Sequence, residues 1–247
     1  MIDHVTIRVP HLDEGRRFYG QVFELLGLAQ APVAGGGFVE WGDFSISQET
    51  PDRPATRRLH LGFSAGSRQV VDGWWSALTD AGYESDGAPG PRPAYGPDYY
   101  GAFVLDAAGN SVEAMTDGPR RQPGTIDHLW LRTRSLAAAT RFYETVCPAV
   151  EHTVECHDGR TQIRGSGATF SLVEGPPTTN LHLAFGAPDR QTVAAFHRAG
   201  VLAGYRSNGE PGERPEYHPG YYAAFLTDPD GNNIEAVFHD RQAAGGG

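Results

Sequence analysis

One unit occurs twice in this chain, and that duplication constrains the fold before any single residue does. Tyr221-Tyr222, Phe225, Asp228, Gly231-Asn232 and Glu235 repeat Tyr99-Tyr100, Phe103, Asp106, Gly109-Asn110 and Glu113, each 122 positions earlier (221 − 99, 235 − 113). Leu181-His182-Leu183 repeats Leu59-His60-Leu61 at the same offset. Nearer the start, Ile126-Asp127-His128 repeats Ile2-Asp3-His4, and Arg141-Phe142-Tyr143 repeats Arg17-Phe18-Tyr19, both at an offset of 124 (126 − 2, 141 − 17). Three chemically useful positions therefore recur: His4, His60 and Glu113, then His128, His182 and Glu235.

A chain of 247 residues has room for two domains, each burying its own core. The repeat places an N-terminal domain at 1–117 and a C-terminal domain at 126–241. Residues 118–125 between them are rich in Pro, Gly and charge, as a linker is. A small, glycine-rich tail follows at 242–247. The formal net charge of −10, with no basic run, argues against a nucleic-acid partner. No apolar run reaches the length of a membrane span, and two cysteines, Cys147 and Cys156, make no disulfide framework. A reducing cytoplasm is the simplest setting.

Periodicity places the repeated residues. In His4-Val5-Thr6-Ile7-Arg8-Val9 the apolar residues alternate with polar ones, so Val5, Ile7 and Val9 share a strand face opposite His4. Leu59, Leu61 and Phe63 oppose His60 in the same way, and Val112 and Ala114 oppose Glu113. The second copy repeats this with Leu129 and Leu131 against His128, Leu181, Leu183 and Phe185 against His182, and Ile234 and Ala236 against Glu235. Helical stripes are expected over about 12–27, 67–81, 136–146 and 190–199. Asp228-Pro229-Asp230-Gly231-Asn232 between apolar runs predicts a hairpin that delivers Glu235 onto a strand.

Two histidines and a carboxylate on one sheet face are the ligands of a facial triad. This donor set suits Fe(II), with Mn, Co, Ni or Zn as alternatives. It leaves coordination positions open for a substrate. A lone strand histidine is more often an ordinary surface residue; survival of all three positions in both copies favours metal binding.

The opening Ile-Asp-His strand followed by Arg-Phe-Tyr, the Leu-His-Leu strand, and the closing Asp-Pro-Asp-Gly-Asn-Asn-Ile-Glu resemble the vicinal oxygen chelate superfamily of glyoxalases, bleomycin-resistance proteins and extradiol dioxygenases. The resemblance covers nearly the whole chain as two tandem domains. It implies an α+β fold in which paired βαβββ modules form a cup-shaped mixed sheet with helices outside. It also implies metal sites at His4, His60 and Glu113 in the N-terminal domain and at His128, His182 and Glu235 in the C-terminal domain. Whether modules pair within a repeat or swap between repeats stays open.

By the same resemblance, His218 stands at the extradiol acid–base position. Phe225 replaces the usual Tyr of that pattern, and Gly96 replaces His218 in the first copy. Tyr221, Tyr222 and Arg132 are candidate substrate-binding residues. His11, His152, His157, His197 and His239 have no counterpart in the other copy and read as surface residues. The resulting expectation is a metal-dependent oxygenase, with Fe(II), that acts on a small molecule through two vicinal oxygens. The alternatives are a glyoxalase-like lyase or isomerase, and a metal-free ligand-sequestering protein. A tandem chain is compatible with a monomer containing an internal pseudo-dimer or with a homodimer.

Overall fold

The computed structural model of the chain describes residues 1–28, 33–35, 37–118 and 124–240. The expected tail at 242–247 and residues 119–123 of the expected linker lie outside the described residues. In chain order the elements are β1 (Ile2–Val9), α1 (Leu12–Leu25), β2 (Val33–Gly35), β3 (Phe38–Trp41), β4 (Phe44–Gln48), β5 (Leu59–Ser64), α2 (Arg68–Asp80), β6 (Ser85–Pro91), β7 (Tyr100–Leu105) and β8 (Ser111–Thr116). They continue with β9 (Ile126–Thr133), α3 (Leu136–Val146), a 3-10 turn (Cys147–Val150), β10 (Thr153–His157), β11 (Arg160–Arg164), β12 (Thr169–Glu174), β13 (His182–Gly186), α4 (Arg190–Leu202), β14 (Ser207–Glu213), β15 (Tyr221–Thr227) and β16 (Asn233–His239). Each repeat is thus two consecutive βαβββ modules, the α+β arrangement expected.

The strands β6 and β14 form from Gly- and Pro-rich segments that carry no apolar alternation. Both pair antiparallel with one neighbour, β7 or β15, through shifted registers. Proline and glycine are tolerated there because an edge strand has only one ladder to satisfy. The helices follow the expected stripes, except that α4 extends past Ala199 to Leu202.

Compact units do not coincide with repeats. One unit is Thr6–Leu131; the other joins Met1–Val5 to Arg132–Gly247. In the first, the strands run β9-β5-β8-β7-β6, with β5 antiparallel to β9 and parallel to β8. In the second they run β14-β15-β16-β13 and then the opening residues of β1, with β13 parallel to β16. Gly186 N donates to Met1 O at 3.0 Å beside that opening strand.

In both units the faces of the ligand-bearing strands are divided as their alternation requires. Leu59, Leu61 and Phe63 are buried among the rings of Tyr19, Phe23, Trp41 and Phe44, with Phe23 and Phe63 edge-to-face at 5.0 Å. The second unit builds the same layer from Phe142, Tyr143, Phe170, Phe185 and Phe196. Each such ring contributes about 1.5–3 kcal/mol by burial. His60, Glu113 and their counterparts are thereby left on the opposite face.

The two copies differ at one buried hydroxyl. Tyr19 OH donates to Asp106 Oδ2 at 2.9 Å, whereas the equivalent Tyr143 OH is buried without a hydrogen-bond partner among the described residues. Tyr19→Phe is therefore expected to cost about 1–3 kcal/mol, and Tyr143→Phe less than about 0.5 kcal/mol. Urea melts of the two variants check this. Equal losses would contradict it.

Candidate metal centres

Six repeated residues form two clusters, and each cluster draws on both repeats. In the Thr6–Leu131 unit, β5 and β9 pair with Gly62 opposite His128, while β5 and β8 pair with Gly62 opposite Glu113. This brings His60, Glu113 and His128 together. In the other unit the cluster is His4, His182 and Glu235. The grouping expected from sequence, His4 with His60 and Glu113 and His128 with His182 and Glu235, is corrected accordingly. The first strand of each repeat, carrying His4 or His128, lies in the unit formed mainly by the other repeat. Its near-identical partner strands make the two pairings indistinguishable from pattern alone.

The geometry of the clusters is similar. His60 Nε2 lies 2.9 Å from Glu113 Oε2 and 3.3 Å from His128 Nε2, and His128 Nε2 lies 3.3 Å from that oxygen. His182 Nε2 lies 2.7 Å from Glu235 Oε2 and 3.2 Å from His4 Nε2, with His4 Nε2 3.7 Å from the oxygen. Adjacent ligands about 2.1 Å from one ion stand roughly 3 Å apart, so these donor sets fit a single small divalent cation. The glutamates expose 1% of their side chains and the histidines 13–24%, which leaves the imidazole side open. Glu235 Oε2 is buried and faces the two imidazole nitrogens, His182 Nε2 at 2.7 Å and His4 Nε2 at 3.7 Å, the position in which a carboxylate oxygen shares a cation with them.

Supporting residues hold each ligand. Tyr99 OH donates to Glu113 Oε1 at 2.9 Å and Tyr221 OH to Glu235 Oε1 at 2.6 Å, which leaves Oε2 of each carboxylate facing the imidazoles. His128 Nδ1 is 3.0 Å from Asp127 Oδ1, and His4 Nδ1 is 2.8 Å from Asp3 Oδ1. With Nδ1 donating to a carboxylate, Nε2 presents its lone pair to the site. His60 Nδ1 is 3.3 Å from Ser111 Oγ, and His182 Nδ1 is 2.7 Å from the side-chain amide of Asn233.

Electrostatics follow from these contacts. Burial raises the Glu113 pKa, but hydrogen bonds from His128 and His60 outweigh it and hold the group down at about 2. Burial likewise opposes ionisation of Glu235, and His182 and His4 hold its pKa below the usual value. For His128, burial favours the neutral ring, yet Asp127 and Glu113 push its pKa up to about 9. Both carboxylates are thus ready ligands, and the His128 ring gives up a proton to bind a cation near neutral pH.

The remaining candidates divide. His218 is exposed and bonds to Pro219 O and to the His239 ring. Tyr221 lies in the site as a support for Glu235 rather than on the open side. Tyr222 is corrected: strand alternation turns it to the opposite face, where the Arg190 guanidinium of α4 lies 5.0 Å from its ring centre. Arg132 is exposed on β9, four residues beyond His128, with its backbone N–H donating to Thr178 Oγ1 at 3.0 Å.

Three histidines expected at the surface are not there. His152 is buried against Phe185, and burial pushes its pKa down to about 4. His197 is buried on α4 and bonds to Ser207 Oγ at 2.8 Å. His239 is half-buried and bonds to Asp3. The supports Asp3, Asp127, Tyr99 and Gly62 are not singled out by sequence alone, although the recurrence of Ile-Asp-His and Tyr-Tyr is the available signal.

Gly62 is required by close approach: a Cβ there would overlap the His128 imidazole, which its bonds to Asp127 and Glu113 hold in place. Gly62→Ala is expected to weaken cation binding at the His128 cluster by at least about tenfold and to leave the His4 cluster unchanged. Calorimetric titration with Mn(II) reads this directly. Unaltered binding at both clusters would show that the glycine is not needed.

The family model described as the Glyoxalase/Bleomycin resistance protein/Dioxygenase superfamily matches residues 1–114 and 125–236. Among solved structures, glyoxalase I from Zea mays is similar with a TM-score of 0.69 at 17% identity, covering 96% of this chain and 92% of that one. A putative dioxygenase from Bacillus subtilis subsp. subtilis str. 168 is similar with a TM-score of 0.65 at 14% identity, covering 97% and 85%. At these identities the likeness is one of fold. No curated protein matches the chain in sequence. The matched segments span both repeats almost completely, and the chain belongs to the Glyoxalase/Bleomycin resistance protein/Dioxygenase superfamily.

Proposed function

We propose that this protein is a metal-dependent enzyme of the extradiol oxygenase type, acting on a small substrate held through two neighbouring oxygens. The observation that carries the reading is the pair of two-histidine, one-glutamate clusters, each with a buried carboxylate oxygen aimed at two imidazole nitrogens. Such a set suits Fe(II), with Mn, Co, Ni or Zn as alternatives. Bound there, a divalent ion supplies Lewis-acid polarisation of the substrate oxygens and, for iron, the one-electron chemistry that dioxygen requires.

The chain's own residues would do the rest. Glu235 and Glu113, kept ionised, hold the charge of the ion, while Tyr221 and Tyr99 fix the carboxylates from behind. His218 is the candidate proton carrier of the His4 cluster, near the surface and on the chain segment leading to Tyr221. The first copy has Gly96 at that position, so the His4 cluster is the better equipped of the two. A cytoplasmic setting, a monomeric or homodimeric state and the absence of a nucleic-acid partner belong to the same proposal. No helix among the described residues is long and apolar enough to cross a membrane.

Two rivals stand beside it: a lyase or isomerase using the same ligands, and a metal-free ligand-sequestering protein. Oxygen uptake separates the oxygenase from both. Protein purified anaerobically and loaded with Fe(II) is expected to consume dioxygen in proportion to a catechol-type substrate, and Glu235→Ala combined with Glu113→Ala to reduce that rate at least about a hundredfold. Turnover with Ni(II) or Zn(II) in the absence of oxygen would contradict the oxygenase reading and support the first rival. Ligand binding unaffected by metal removal would contradict both enzyme readings and support the second rival.

A further inference from the structure

Behind His4 a line of hydrogen bonds runs from the cluster to the surface of its own unit. His4 Nδ1 is 2.8 Å from Asp3 Oδ1, and the same oxygen is 3.1 Å from His239 Nε2. His239 Nδ1 is 3.0 Å from His218 Nε2, and His218 Nδ1 is 2.8 Å from Pro219 O. The His218 and His239 rings stack at 5.1 Å and 18°. Tyr221, the tyrosine that supports Glu235, packs edge-on against the same two rings at 5.2 and 5.1 Å. His239 therefore touches both the residue behind His4 and the residue behind Glu235.

A backbone carbonyl stands at one end of the two-ring segment and a carboxylate at the other, and both only accept. Because a carboxylate only accepts, His239 Nε2 is the donor to Asp3. Asp3 Oδ1 receives two N–H groups, and His4, donating through Nδ1, turns Nε2 toward His182 and Glu235.

The other cluster keeps only the first step of this line. Asp127 stands behind His128 at 3.0 Å, but the positions 122 before His218 and His239 are Gly96 and Asp117 (218 − 96, 239 − 117), and neither carries an imidazole. The two clusters share their ligands and differ in what holds them.

We propose that His239 is a positioning residue of the His4–His182–Glu235 cluster. It clamps Asp3 and so fixes the orientation of His4, and it seats His218 beside Tyr221, making this cluster unequal to its twin. The proposal rests on both clusters binding a cation.

Cobalt(II) titration followed by visible spectroscopy tests it, with each cluster isolated by disabling the other. In a Glu113→Gln background, which leaves the His4 cluster, His239→Leu is expected to lower cobalt affinity about 10- to 100-fold and to shift the ligand-field bands. His239→Gln, which retains an amide donor toward Asp3, is expected to restore both. In a Glu235→Gln background, which leaves the His128 cluster, His239→Leu is expected to change neither. Unchanged affinity and bands in the first background would overturn the proposal. So would an equal loss in both backgrounds, or a Gln variant as defective as the Leu variant while melting at the parent temperature. If neither cluster of the unaltered protein binds cobalt, the metal reading itself fails.

Discussion

The antiparallel pairing of β5 with β9 decides what this chain can do. It sets Gly62 opposite His128 and carries a histidine from the start of the second repeat to within 3.3 Å of a glutamate from the first. The companion arrangement places the opening residues of β1 next to β13 and brings His4 to His182 and Glu235. Neither repeat supplies a whole cluster. Two copies of the repeat thus supply two clusters from six residues.

Each cluster keeps a carboxylate charge out of water only because the groups around it meet that charge. A carboxylate almost wholly removed from water faces two imidazoles, with Glu235 Oε2 2.7 Å from His182 Nε2 and Glu113 Oε2 2.9 Å from His60 Nε2. Burial acts against the charge on both glutamates, and the histidines and tyrosines around them offset it. Such a buried charge is expensive unless it is paired or coordinated. The surrounding supports make sense as the means of holding a cation site in shape, and Gly62 extends the same logic to the backbone.

Much of this is legible in the sequence because alternation along a strand is a strict geometric rule. His60 opposite Leu59 and Leu61, and Glu235 opposite Ile234 and Ala236, follow from period two alone. What alternation cannot decide is which strand lies next to which. Ile2-Asp3-His4-Val5 and Ile126-Asp127-His128-Leu129 carry the same pattern, so each suits a place beside β5 or β13 equally well. Supports such as Asp3 are hidden for a related reason: alternation turns Asp3 away from the His4 face, yet at the strand end its carboxylate reaches the ring. His152 and His197 defy the surface expectation because burial of a lone histidine depends on packing that only the folded chain reveals. The edge strands β6 and β14 are masked by proline and glycine, which composition assigns to loops.

Metal stoichiometry in two double variants tests the cross-repeat clusters most directly. His4→Ala combined with Glu235→Ala strikes one cluster twice, and such protein should still bind one equivalent of cation. His4→Ala combined with Glu113→Ala strikes both clusters and should bind none. The reverse outcome, no binding by the first and one equivalent by the second, would mean that each repeat assembles its own site and would contradict assembly of the clusters across the repeats.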